Sequence, residues 1–358
     1  MPRRCAVAGA LCAAAVAQGA APPPPSSPPY FAGVRDTGIV MPFGGAPGGS
    51  RCPGDCDALG ARDTWLFVDA NDTAAPFKFF YDGSGPGGWL ASLAETADPT
   101  LRNWTKRGTV LSRGAAPSPD SASASYLTTF FDPSRDPPWR GLYLATQKIS
   151  PPPGDVPIGP YFTMAASAPS AAGPWTQDRA RGTVIGAGSP GPIVRATDGS
   201  GELWQLCTGC AGGAIGLVAA AAAEGPWRDI KPLIVGEPIE NLSLYYETTT
   251  STWFGFTNRI GVDAGGMAFD AAITVYWTAN LSEWSSARQA VVLNQSNVLE
   301  PSFQVGRIGL PSVLRVPGND VELALLYDGG GTRGDVSYNE NCSVALAWLR
   351  LPLVAPFW

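Results

Sequence analysis

Three acidic residues stand where strands are predicted to begin, and carboxylates in such places can exchange protons with a bound substrate. Asp63 opens an apolar run, Asp120 precedes a serine-rich run, and Glu240 is the second residue of an aromatic-rich strand. The chain contains no histidine, which excludes a Ser-His-Asp triad, a histidine-ligated metal and an imidazole base. Acid–base chemistry therefore falls to Asp, Glu, Tyr, Lys or Cys. We expect neither a metal nor a cofactor.

Each of these acids also has an ordinary structural explanation. Asp63 could cap its strand, and its triplet Arg-Asp-Thr is repeated around Asp36. We favour Asp63 because a complete strand follows it, whereas glycine-rich sequence follows Asp36. Asp120 could be only a turn residue, and Glu240 could pair with an arginine.

Two polar residues adjoin the favoured acids in the sequence. Arg62 precedes Asp63, and Asn241 follows Glu240. We expect both to contact the substrate, with a purely structural role as the equal alternative. The nearby Glu237 is expected on the surface or behind the site.

Strands that position these acids are indicated by a repeat that ends in tryptophan. Trp104, Trp175, Trp227 and Trp284 each follow a pair of predicted strands and precede another β-rich run. Their spacing of roughly 50 to 70 residues suits the blades of a propeller better than a helical solenoid. A β-sandwich is the plain alternative, but sandwiches rarely carry a repeated ending of this kind.

The repeat predicts an all-β protein: a five-bladed β-propeller of four-stranded antiparallel blades. A fifth set of strands follows Trp284, and a strand near Phe31 to Val40 is expected to complete the last blade and close the ring. The single propeller domain spans residues 31–358. Because the innermost strand of each blade lines the central channel, the acids at three of these strand starts are predicted to converge.

At this point the chain resembles a known group, the five-bladed β-propeller glycosidases of glycoside hydrolase families 32, 43, 62, 68, 117 and 130. The matching features are Leu93–Asp98 leading to Asn103-Trp104, the Ala-Ala-Gly-Pro-Trp175 ending, and the strand that begins Ile239-Glu240-Asn241. In family 43 a similar strand, Ile-Glu-Gly-Pro, carries the general acid. This chain departs from it, because Asn241-Leu242 replaces Gly-Pro and Leu310-Pro311 replaces a frequent histidine.

The resemblance implies a glycoside hydrolase that acts on an oligo- or polysaccharide. Glu240 would be the general acid, Asp63 the base or nucleophile, and Asp120 the assisting acid. Glycoside hydrolysis needs two carboxylates across the scissile bond, which these residues would supply. The alternative is a non-catalytic propeller that binds glycans or proteins.

The N-terminus and the cysteines indicate a secreted protein. A basic start followed by a short apolar run predicts a signal peptide over residues 1–20, and a proline-rich linker is predicted over residues 21–30. Two local disulfides, Cys52 with Cys56 and Cys207 with Cys210, suit an oxidising compartment. A zinc site from these four cysteines and a redox role for the second pair are the weaker alternatives.

Net charge and the sequons restrict the partners. A net charge of −6 argues against nucleic-acid binding, which needs clustered Lys and Arg. No segment after the signal peptide is apolar enough to cross a membrane, so no membrane partner is expected. We expect a monomer whose partner is a carbohydrate. Six glycosylation sequons fit a secreted glycoprotein. Of these, Asn241 is predicted to remain unmodified because it adjoins the proposed site.

Overall fold

The protein is described by a computed structural model over residues 29–150, 157–186, 188–262, 268–331 and 340–357. The predicted signal peptide (residues 1–20) and residues 21–28 of the predicted linker lie outside these ranges. Within them, no helix has both the length and the apolarity that crossing a bilayer requires.

The chain forms a five-bladed β-propeller, which confirms the predicted fold. The strands, each blade from its innermost strand outward, are as follows: blade I, β2 (Gly60–Val68), β3 (Phe77–Gly85), β4 (Gly88–Thr96) and β5 (Thr105–Thr109); blade II, β6 (Ser123–Phe131), β7 (Trp139–Ile149), β8 (Pro157–Ala168) and the short β9 (Thr176–Gln177) and β10 (Thr183–Ile185); blade III, β11 (Ile193–Arg195), β12 (Leu203–Thr208), β13 (Ile215–Ala220) and β14 (Arg228–Ile234); blade IV, β15 (Ile239–Glu247), β16 (Thr252–Val262), β17 (Ala268–Thr278) and β18 (Gln289–Asn294); blade V, β19 (Arg307–Leu314), β20 (Glu322–Gly330), β21 (Cys342–Arg350) and β1 (Val34–Met41). The helices are a 3-10 turn (Pro53–Asp55) and α1 (Pro301–Val305).

The N-terminal strand joins the two ends of the chain in one sheet. β1 pairs with β21 as the outermost strand of blade V, as the segment Phe31 to Val40 predicted. Five clusters of buried side chains each lie between two neighbouring blades, and one of them packs Phe79 of blade I against Leu326 of blade V. Burial between sheets therefore continues around the whole ring.

The repeated tryptophans close the turns that lead to the outer strands. In all four, the indole N–H donates to a backbone carbonyl three or four residues earlier. The pairs are Trp104 with Leu101 (2.8 Å), Trp175 with Ala171 (3.1 Å), Trp227 with Ala223 (3.0 Å) and Trp284 with Leu281 (2.7 Å). A buried indole requires such an acceptor, so the repeat in the sequence is a repeated turn in the structure.

Four of the five innermost strands carry the same irregularity near their start. In each, the register with the next strand shifts around a non-glycine residue in the left-handed region. These residues are Asp63 (φ 57°), Tyr126 (φ 44°), Asn241 (φ 49°) and Leu310 (φ 54°). Bulges of this kind redirect side chains, and left-handed non-glycine residues are concentrated at functional sites.

The predicted disulfides are present, Cys52 with Cys56 and Cys207 with Cys210. A zinc site built from these cysteines would need four free thiolates, whereas here the four sulfurs are bonded in pairs. The two pairs also pack in different clusters between blades.

Candidate active site

A cleft of about 190 Å³ opens where the innermost strands begin. It receives residues from four blades, including the bulge residue and its predecessor in blades I, II and IV. The lining residues are Arg62, Asp63, Asp82, Trp89, Ser125, Tyr126, Leu144, Pro157, Tyr161, Ser189, Glu240 and Asn241. Aromatic rings, carboxylates and one guanidinium in one concave site are the composition of a ligand-binding cleft.

Asp63 is held at this cleft by its backbone. Its amide donates to Asp328 Oδ2 at 2.8 Å, which stabilises the left-handed conformation of the bulge. Its Oδ2 lies 3.2 Å from Nε of Arg62. The side chain is largely buried, at 12% exposure, so its charge is compensated mainly by protein groups rather than by water.

Asp82, from the second strand of blade I, is the hydrogen-bonding neighbour of Asp63. Burial, and then the negative charge of Asp63, raise the pKa of Asp82 well above its usual range, which favours its protonated form. Among the described residues no donor reaches the buried Oδ1 of Asp63. A protonated Asp82 can donate a hydrogen bond to the Asp63 carboxylate, while its own Oδ1 accepts from the Tyr126 amide at 2.6 Å.

Glu240 enters the same cleft from blade IV. Burial, and then the charge of Asp270, raise its pKa to about 7. A hydrogen bond from Asn258 Nδ2 to Glu240 Oε1 (3.2 Å) and the cation of Arg62 act in the opposite direction. Burial therefore favours the protonated form of Glu240 at pH values where an ordinary glutamate is ionised.

The two predicted substrate-contacting residues also line the cleft. The Arg62 guanidinium lies over the Trp89 ring, 5.4 Å from its centroid. Asn241 is buried, and its amide donates to Thr208 Oγ1 at 2.8 Å. Its side-chain oxygen has no donor among the described residues, so it remains able to accept a hydrogen bond from a ligand.

Asp120 is not among the residues that line the cleft. Its carboxylate is buried and accepts hydrogen bonds from Tyr143 (3.0 Å), Gln177 (3.0 Å) and Arg179 (2.9 Å). It thus ties the segment before β6 to β7 and to the segment at β9. The geometry does not support the prediction that Asp120 assists Asp63 and Glu240.

The sequence prediction missed the cleft residues that lie away from the innermost strand starts. Asp82, Trp89 and Tyr161 belong to second and third strands of their blades. Asp82 had a recognisable feature, an acid that ends the apolar run Phe77–Tyr81, because a carboxylate in a buried strand requires a specific partner.

No protein-family model and no curated protein sequence matches the chain. Solved structures do match its fold. An exo-β-1,3-galactanase from Phanerochaete chrysosporium, bound to β-1,3-galactotriose, is 11% identical with a TM-score of 0.56; the match covers 89% of this chain and 64% of the galactanase chain. The chain therefore spans less than two thirds of that enzyme's length.

Two α-L-arabinofuranosidases match over nearly their whole length. The enzyme from Podospora anserina, in complex with cellotriose, is 10% identical with a TM-score of 0.58, covering 91% of this chain and 99% of its own. The family 62 catalytic domain from Coprinopsis cinerea is 10% identical with a TM-score of 0.57, covering 90% and 98%. At these identities the likeness shows a shared fold, one that glycoside hydrolases use.

Proposed function

We propose that the protein is a glycoside hydrolase in which Glu240 is the general acid and Asp63 the base or nucleophile. The observation that carries the proposal is their position: from blades I and IV, both line one cleft, in different electrostatic surroundings. Two carboxylates whose environments differ are what divides the acid and base roles between them. The shared fold of the solved glycoside hydrolases supports the same conclusion.

Glu240 suits the acid role because it retains a proton near neutral pH. With a pKa raised to about 7, it keeps that proton to a higher pH than an ordinary glutamate does. Protonating the glycosidic oxygen as the bond breaks avoids an unstable alkoxide. The resulting carboxylate is then stabilised by Asn258 and Arg62, which favour the ionised form.

Asp63 suits the role of base or nucleophile because of the two groups beside it. Arg62 lies beside its carboxylate, and Asp82 retains the proton that the pair would otherwise share. Asp63 can therefore attack the anomeric carbon as a nucleophile, or deprotonate the attacking water as a base. In either case Glu240 delivers its proton to the glycosidic oxygen. Asp82 replaces Asp120 in our proposal as the carboxyl group that supports Asp63.

The remaining cleft residues suit a sugar. Trp89 and Tyr161 supply aromatic surface, and sugar rings offer apolar C–H faces to such surface. The free side-chain oxygen of Asn241 can accept from a sugar hydroxyl. The names of the matching enzymes make β-1,3-galactosides and α-L-arabinofuranosides the first substrates to test.

A leaving-group experiment tests both assignments. Glu240→Gln is expected to reduce kcat by about 10²–10⁴-fold on a natural glycoside, because general acid catalysis contributes this much. The loss should be far smaller on a dinitrophenyl glycoside, whose leaving group needs no proton. Asp63→Asn should fail on both substrates, because its role does not depend on the leaving group.

Glu237→Gln is the matched control. It is the same substitution three residues earlier, at a side chain paired with Arg259 at 2.7 Å and absent from the cleft lining. It should keep full activity. Equal hydrolysis by wild type and Glu240→Gln would overturn the assignment of Glu240, and glycan binding without hydrolysis would favour a non-catalytic propeller.

We further propose that the protein is secreted and glycosylated. The two disulfides support this, because such bonds persist in oxidising compartments. Asn241 is buried in the cleft, which supports its expected lack of a glycan. Glycopeptide mass spectrometry of protein secreted from a eukaryotic host tests both expectations, and a glycan on Asn241 would contradict the proposed site.

A further inference from the structure

Behind the cleft, one buried amide connects Glu240 to a carboxylate that does not line the cleft. Asn258 Nδ2 donates both to Glu240 Oε1 (3.2 Å) and to Asp270 Oδ1 (2.8 Å). Asn258 is completely buried and Asp270 nearly so. The orientation of Glu240 is therefore tied to that of Asp270.

A similar connection begins at Asp63. Its amide donates to Asp328 Oδ2 at 2.8 Å, and Asp328 Oδ1 lies 3.2 Å from the guanidinium of Arg307. The same guanidinium forms an ion pair with Asp270. Arg307 has no exposed surface, so its buried guanidinium stands between Asp270 and Asp328, the groups that hold the two cleft carboxylates.

We propose that these contacts form one relay of four positioning residues, which holds Glu240 and Asp63 in place and in complementary charge states: Asn258, Asp270, Arg307 and Asp328. The inference rests on the proposed function, because it assigns roles around the same two carboxylates. None of the four is among the residues that line the cleft. They act through Glu240 and Asp63 rather than on the substrate.

The charges of the relay explain why its two ends behave differently. A buried guanidinium needs carboxylate partners, and Arg307 has Asp270 and Asp328. Burial raises the pKa of Asp328 to about 7. Asp270 in turn places negative charge near Glu240, which disfavours a second negative charge there. At the other end Asp328 accepts a hydrogen bond from the backbone amide of Asp63. This bond fixes the backbone of Asp63 and does not involve the Asp63 carboxylate.

Blade V leaves room for this relay. Gly309 precedes the left-handed Leu310, so it occupies in its blade the place that Glu240 occupies in blade IV. A β-carbon on Gly309 would lie 3.0 Å from Cβ and 3.1 Å from Cγ of Asp270. The carboxyl group of Asp270 therefore occupies the space that a side chain at position 309 would fill.

The titration of Glu240 is the property that the relay should control. The charged and titratable groups that face it come from blades I, II and IV. They are Arg62, Asp63, Tyr126, Tyr161 and Asp270. Changing one of them at a time, while following Glu240 directly, separates the contribution of Asp270 from the rest.

The experiment is a carboxyl NMR titration of protein labelled with ¹³C-glutamate, with the Glu240 signal assigned by its loss in Glu240→Gln. Asp270→Asn removes a like charge and should lower the pKa of Glu240 by about one unit. Asn258→Ala removes a hydrogen bond that favours the ionised form, so it should raise that pKa. These two changes at adjoining residues are expected to act in opposite directions.

Asp57→Asn is the control for general loss of stability. Asp57 forms a buried pair with Lys106 at 2.6 Å and is absent from the cleft lining. This variant should lose stability as Asp270→Asn does, yet leave the Glu240 titration unchanged. A merely structural role for Asp270 predicts the same unchanged titration.

Opposite shifts in the two relay variants, with none in the control, support the relay. No shift in either variant, or shifts in the same direction, would overturn it. If Asp270→Asn fails to fold, the sign of the shift in Asn258→Ala still decides, because unchanged or lowered values contradict the relay. The titration needs no substrate, so the relay can stand even if the leaving-group experiment disproves hydrolysis.

Discussion

The triplet Arg-Asp-Thr occurs twice in the chain, and its two copies have opposite surroundings. Arg62-Asp63-Thr64 lies on β2, the innermost strand of blade I, whereas Arg35-Asp36-Thr37 lies on β1, the outermost strand of blade V. The Arg62 side chain is 17% exposed and pairs with Asp63, while that of Arg35 is 55% exposed and pairs with Glu322. Arg62 and Asp63 line the cleft, whereas in the other copy Arg35 is exposed and Asp36 is half-buried.

The backbone explains much of the difference. Both strands lose register just after the triplet begins. In β1 the left-handed residue is Gly38 (φ 78°), which adopts it at little cost, whereas in β2 it is Asp63 itself. The Asp63 amide turns toward Asp328, while the Asp36 carboxylate bonds locally to the Gly38 amide at 3.1 Å.

The carboxylates of Asp36 and Asp63 therefore differ in whether they are free to interact with a ligand. Both oxygens of Asp36 are used in structure, accepting from the Tyr327 hydroxyl (2.8 Å) and the Leu299 amide (2.6 Å). Asp63 instead adjoins a cation, a second carboxyl group and an open cleft. Whether a residue of this triplet can take part in chemistry therefore depends on its place in the sheet rather than on its neighbours in sequence.

The largest expected contrast is catalytic. Asp63→Asn should reduce kcat by about 10²–10⁴-fold, the usual range for loss of an acid–base group, when hydrolysis of the responsive glycoside is measured. Asp36→Asn should keep wild-type kcat, although weakening its half-buried hydrogen bonds should lower the free energy of unfolding by about 1–3 kcal/mol. A comparable loss of kcat in both variants would remove the distinction between the triplets.

The arginines should differ next, in stability. Arg62→Ala leaves Asp63 without its buried cation and should lower the free energy of unfolding by about 3–5 kcal/mol. Arg35→Ala breaks an exposed ion pair and should cost at most about 1 kcal/mol. Urea denaturation at one pH measures both, and equal losses would show that the burial of Arg62 carries no energetic weight.

The sequence predicted the features that depend on local contacts. Each repeated tryptophan bonds to a carbonyl within its own turn, so the blades could be counted without the structure. Asp63 and Glu240 were predicted to lie close together because strand starts converge in a propeller, and both line one cleft. Asp120 was expected in the cleft because it precedes β6. The bulge of β6 lies further along the strand, where its register with β7 shifts, and it is Tyr126 at this bulge that lines the cleft. The pairing of Asp82 with Asp63 was not predicted, since it depends on the register between β2 and β3 at the bulge, which brings Asp82 opposite Arg62.

The smallest expected contrast concerns the pH dependence of Glu240. Its folded-state pKa of about 7 exceeds its ordinary value of 4.5. The stability that this group contributes is therefore fully present below pH 4.5 and is lost as the pH rises through 7. Asp63→Asn removes one of the negative charges that raise the pKa, after burial and Asp270, so the pKa should fall by less than about one unit. Asp36→Asn should leave it unchanged.

Two measurements check this contrast without requiring activity. The ¹³C titration of Glu240 should move to lower pH in Asp63→Asn, and its free energy of unfolding should decline less steeply between pH 4.5 and 8 than in wild type. Asp36→Asn should be less stable by a constant amount across that range, with the wild-type slope. An unshifted titration in Asp63→Asn would mean that the two carboxylates do not sense each other across the cleft. Asp63 and Glu240 would then line the same cleft without a measurable electrostatic interaction between them.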